Sequence, residues 1–151
     1  MKIIEIILGI CSVIFFVLFK LDVDLLNNEI LGTIVLGINA IVYFIYGLTL
    51  FSGLQYDYVL GTNEKDALTK KIIALSIVSG IITSSVIMGI LQVILNWKGG
   101  YLTLFSMLFV SIVLLAVNFH QFYKNKNKTF LNINARLIFF VVFGIIVLML
   151  I

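Results

Sequence analysis

The stretch IIALSIVSGIITSSVIMGILQVILNW, Ile72–Trp97, is followed by Lys98-Gly99-Gly100 and a second apolar run, Tyr101–Tyr123. Neither run contains Asp, Glu, Lys or Arg. A hydrocarbon core about 30 Å thick needs roughly 20 helical residues at about 1.5 Å each, and both runs exceed that. The Gly-Gly pair allows a tight reversal, so the two runs are expected to form an antiparallel helical hairpin. Trp97 and Tyr101 flank the turn, where rings with one polar end favour the headgroup zone.

Three further apolar segments lie outward from this hairpin: Ile3–Phe19, Ile30–Phe51 and Leu137–Ile151, the last becoming Phe130–Ile151 if its polar approach is counted. From Leu137 the last segment rises only about 22 Å, too short to cross; from Phe130 it reaches about 33 Å but carries Arg136 into the near leaflet. Five spans are expected, with four if the last segment stops short. The composition agrees. Of 151 residues 62% are apolar and 11% charged, with a mean hydropathy of +1.23. An ordinary soluble domain is about half apolar and about a quarter charged. The fold class expected is therefore an all-α integral membrane protein, one domain over 1–151, with short loops and no soluble domain.

The first segment opens with Lys2 and carries Glu5, but it ends in Phe19-Lys20-Leu21-Asp22 with no small-x-small cleavage signal. It reads as a retained helix. Lysine and arginine set the orientation. With the N-terminus in the cytoplasm, one side receives Lys2, Lys65, Lys70, Lys71, Lys124, Lys126, Lys128 and Arg136, and the other only Lys20 and Lys98. That bias places the N-terminus inside and the C-terminus outside, in a bacterial inner membrane. Tyr56, Tyr58 and Tyr123 then sit at the inner interface. Thr62 or Asn63, with Glu64 and Asp66 following, supplies a helix-start signal ahead of the third segment.

Between helices in lipid, association relies on close packing and hydrogen bonds. Ser76, Gly80 and Ser84 recur at four-residue spacing, as do Ser79 with Thr83 and Ser85 with Gly89. This is a small-xxx-small surface, either an internal packing seam or a pore-lining face between subunits. Asn39 lies near the middle of the second segment, at the depth expected for Thr83, Ser84 and Ser85, with Tyr43 one turn on. A buried amide needs partners, and a hydroxyl of the third helix is the nearest by that count. A second polar cluster is expected at the inner leaflet: Glu5, Gln55, Asp57, Asn118, His120, Gln121 and Arg136. There Arg136 either snorkels to the headgroups or pairs with Glu5 or Asp57.

The absences narrow the function. One cysteine, Cys11, excludes an intrachain disulfide and a paired-cysteine metal site, and His120 is the only histidine. No Asp, Glu, Lys or Arg lies in the middle third of any span, which argues against a proton-coupled pump or voltage sensor. No Gly-x-Ser-x-Gly, His-Glu-x-x-His or phosphate-loop motif occurs. No enzyme activity, cofactor, metal or nucleic-acid partner is expected. Two classes remain: a homo-oligomeric channel-type subunit, or a non-conducting accessory, assembly or immunity-type protein docked on another membrane protein.

Overall fold

A computed structural model describes residues 2–20, 28–53 and 67–150. Among these it holds five helices: α1 Lys2–Lys20, α2 Asn28–Ser52, α3 Ala67–Ile94, α4 Gly100–Asn125 and α5 Lys128–Leu150. No strand occurs among the described residues. Many of the helical positions are Ile or Val, which are only middling helix formers in water. Within hydrocarbon, however, every N–H and C=O must be satisfied inside the chain, and a helix does this without a neighbour. With no proline in the sequence, nothing removes a donor from the helical ladders.

Four helices, α2 to α5, are long and apolar enough to cross a membrane. The last segment, whose span was in doubt, is a continuous 23-residue helix. The short member is α1 instead, whose apolar stretch covers Gly9–Phe19. Its 19 residues rise about 28 Å.

The helix ends are closed by the backbone. Asn96 adopts a left-handed conformation with φ 51°. The Trp97 N–H donates to the Gln92 carbonyl at 2.9 Å and the Asn96 N–H to Val93 at 3.1 Å. That pair of bonds is a Schellman stop. It ends α3 at Ile94, three residues before the apolar run itself ends at Trp97. Gly99, at φ 86°, completes the reversal, and a Cβ on Gly100 would lie 2.8 Å from the Gln92 carbonyl carbon. Both glycines of the pair are therefore required, one for its backbone angle and one for close approach. The turn between α4 and α5 is shorter still. Lys126 sits at φ 50° with its N–H donating to the Phe122 carbonyl at 2.7 Å, and the Asn127 side chain accepts from the Thr129 N–H at 2.9 Å as the cap of α5.

The expected α3–α4 hairpin is present, and α5 packs against both of its helices while α2 covers α3. Helix α1 lies against α2 and touches α5 through the edge-on Phe16–Phe143 ring pair, 5.7 Å between centroids. On α4 the buried residues are Gly100, Leu104, Leu108, Ser111, Leu114 and Asn118, a single stripe at three- and four-residue steps. Its opposite face, with Leu102, Phe105 and Phe109, is exposed. That is the pattern of a helix with one side on its neighbours and the other in lipid. The protein is a small all-helical membrane protein.

Candidate functional site: a buried polar ladder

The small-residue surface of α3 is used within the chain. A Cβ on Gly80 would lie 2.6 Å from the Gly47 Cα and 2.8 Å from the Tyr43 carbonyl oxygen, so α2 and α3 touch backbone to backbone. Ser76, Ser79 and Thr83 are fully buried, and Ser84 is nearly so. Tyr43 is buried as well, its ring edge-on to Phe140 at 4.9 Å.

Asn39 is fully buried, and its partner is not on α3. Its Nδ2 donates to the Ser12 Oγ of α1 at 2.9 Å. Depth explains the difference. Gly80 packs between Tyr43 and Gly47, and counting up both helices from there brings Asn39 level with Val86, about one turn beyond Thr83. Counting from segment ends misjudged this because α3 starts at Ala67, well before the purely apolar run. The bond to Ser12 also ties α1 to the bundle at mid-depth.

Helix contacts fix the other registers. Gly89 packs on Leu104, and equal steps down α3 and α4 bring Asn118 level with Leu75 and Ser76. Gly144 packs on Leu108, and equal steps along α4 and α5 bring Asn134 opposite Asn118. Three mutually packed helices thus contribute Ser76, Asn118 and Asn134 at one level, with exposures of 0%, 0% and 1%. Neither the amide nitrogen nor the oxygen of either asparagine has a hydrogen-bond partner among the described residues, and the hydroxyls of Ser76, Ser79 and Thr83 have none either. The Asn39 Oδ1 is in the same state. From Ser76 the α3 groups climb at steps of three and four residues, one helical face. Native structures leave few buried polar groups unpaired, so six such residues in one bundle are a concentration that demands a role.

Other hydroxyls of the bundle behave differently. Ser85 donates to the Ile81 carbonyl at 2.9 Å, Ser111 to Met107 at 2.8 Å and Ser52 to Leu48 at 2.6 Å. These satisfy themselves on their own helix. Beyond the ladder the interior changes character: Val86, Ile87, Ile90, Val93 and Leu104 are buried at 0–1% exposure and wholly apolar. The unpartnered hydroxyls of α3 end before this layer, and Asn39 of α2 lies level with its first residue, Val86.

Of the expected inner-leaflet cluster, Asn118, His120, Gln121 and Arg136 fall among the described residues. Asn118 joins Asn134 in the interior, whereas His120 is exposed two residues further on. Gln121 bonds Asn125, 3.1 Å from its Oε1. Arg136 is half-buried on α5 with its guanidinium carbon 5.8 Å from the centre of the Phe51 ring. Asp57, Gln55 and the side chain of Glu5 lie outside the described residues, as does the helix-start signal at Thr62 to Asp66. Among the described residues no group of three or more His, Cys, Asp or Glu could hold a metal ion.

Asn134 and Ser12 were not singled out from the sequence, although a signal existed for the first. Asn134 falls on the face that carries Phe130, Leu137, Val141 and Gly144, the buried stripe of α5. The chain matches no protein-family model, no curated protein and no solved structure.

Proposed function

We propose that the protein is a channel-type membrane protein whose polar path runs inside each chain, along Ser76, Asn118, Asn134, Ser79 and Thr83 toward Asn39. The observation that supports it is the concentration of buried, unpartnered hydroxyls and amides on the packed faces of α3, α4 and α5. Such groups offer both donors and acceptors and no fixed charge, so they suit water or a small neutral or monovalent polar species. The layer of Val86, Ile87, Ile90 and Leu104 is the gate, an apolar constriction that stays dry until it widens. In a homo-oligomer each subunit then brings its own path, and the α3 seam is not needed between subunits. The Lys/Arg bias supports a cytoplasmic N-terminus, an external C-terminus and a bacterial inner membrane as the setting.

The test is flux in liposomes loaded with a potassium- or proton-sensitive dye, together with osmotic swelling for water. Ile90→Ser, which places a hydroxyl in the seal, is expected to raise flux at least about tenfold over wild type if dewetting is the barrier. Asn118→Leu with Asn134→Leu in that background is expected to return flux to baseline. A folded Ile90→Ser protein with no flux of any of these species contradicts a channel. The non-conducting accessory protein would then be the better reading.

A further inference from the structure

The level of Ser76, Asn118 and Asn134 has a chemistry that decides what it can hold. The Nδ2 and Oδ1 of both asparagines and the Ser76 Oγ have no hydrogen-bond partner among the described residues, and all three residues are at most 1% exposed. Two separate contacts bring them level, Gly89 on Leu104 for α3 with α4, and Gly144 on Leu108 for α4 with α5. Asn118 and Asn134 thus stand opposite each other without bonding to one another. No Asp, Glu, Lys or Arg lies between Ile72 and Trp97 or between Tyr101 and Tyr123. On α5, Arg136 is two residues past Asn134 and so about 200° round the helix, on another face. The level therefore presents dipoles and no full charge.

An amide donates at one end and accepts at the other, and a hydroxyl does both. A cation here would engage the oxygens and leave the N–H groups of both amides unpaired. An anion would engage those N–H groups and face the Oδ1 atoms. Potassium filters present rings of acceptors alone, which this level does not. An ion would also shed its hydration where no opposite charge replaces it. Water both donates and accepts, and buried waters commonly make about three hydrogen bonds to otherwise unsatisfied groups. Phe130, Ile133 and Leu137 pack beside Asn134 at 0–1% exposure, so the level suits the smallest molecule of this kind. We propose that Ser76, Asn118 and Asn134 form a site that holds water and rejects ions. The site stands on its own chemistry; the further step, that water is the species conducted, rests on the channel reading above.

The experiment uses the full chain in liposomes. Synchrotron radiolysis makes hydroxyl radicals from bound as well as bulk water, and the oxidised side chains are mapped by mass. Leu137, one turn from Asn134, and Leu104, in the apolar layer, are the same side chain at 1% and 0% exposure. In wild type, Leu137 is expected to be oxidised at least about fivefold faster than Leu104, because only Leu137 adjoins bound water. Asn118→Leu with Asn134→Leu is expected to remove that difference; should this variant fail to fold, the wild-type comparison decides. In Ile90→Ser liposomes that pass water, potassium and chloride fluxes are expected to stay within about twofold of protein-free liposomes. Equal protection of Leu137 and Leu104 overturns the site. Potassium or chloride flux rising together with water overturns its selectivity, as does Leu137 labelling that falls when potassium is added in excess. Labelled Leu137 in an Ile90→Ser protein with no flux of any species upholds the water site and removes only the channel.

Discussion

Two stretches of α3 face the same interior and are built from opposite materials. From Ser76 to Thr83 the buried face presents three hydroxyls that have no hydrogen-bond partner among the described residues. From Val86 to Ile94 it presents Val86, Ile87, Ile90, Val93 and Ile94, all at 3% exposure or less. In water an apolar interior would need little explanation, because burial itself is favourable. In lipid the surroundings are as apolar as the core, so packing and hydrogen bonds decide what sits inside. The apolar stretch is then ordinary close packing. The polar one is the exception, since a serine in a membrane helix has an easy partner one turn back, as Ser85 and Ser111 show.

The sharpest way to break this division is to place polarity in the apolar stretch. Ile90→Ser removes a fully buried side chain and adds an unpartnered hydroxyl, so it should lower stability by about 2–4 kcal/mol in detergent unfolding followed by circular dichroism. Gly80→Ala tests the seam that holds both stretches against α2. Its added carbon would meet the Gly47 Cα at 2.6 Å, and backbone cannot rotate away as a side chain can, so a loss of about 1–3 kcal/mol is expected in the same assay. The polar stretch should respond in the opposite direction. Thr83→Val exchanges a lone buried hydroxyl for a methyl of similar size, and should be neutral or stabilising by up to about 1 kcal/mol. Smallest of all, Ser12→Ala removes the clasp to Asn39, and the loss should be close to the roughly 0.6 kcal/mol average for interhelical bonds in membranes. If Thr83→Val instead destabilises as strongly as Ile90→Ser, the hydroxyl has a structural partner and the division fails.

Much of the architecture was legible because lipid leaves few options. Run length fixed the helices, and Gly99-Gly100 fixed the hairpin. The α3 end was less visible: Asn96 in a left-handed conformation stops the helix inside an apolar run, and no strong breaker marks the place. The site was only partly readable. Ser76, Ser79 and Thr83 stand out by spacing, but which hydroxyls donate to their own helix depends on rotamers that spacing does not encode. Asn39 was visible as a buried amide, whereas its partner Ser12 sits in an unremarkable apolar segment and meets it only through the way α1 packs on α2. Asn118 reads from the sequence as one member of an inner-leaflet cluster with His120; its place opposite Asn134 appears only when its stripe is aligned with that of α5.

The decisive measurement is chemical access to the two stretches of α3 in liposomes. Exposed Cys11 is first replaced by alanine. Thr83→Cys and Ile90→Cys are then treated with a charged, water-soluble methanethiosulfonate reagent, and labelling is followed by mass. The polar ladder predicts that Thr83→Cys is modified and Ile90→Cys is not. Equal protection of both, or faster modification at Ile90→Cys, would contradict a wet path ending at a dry seal.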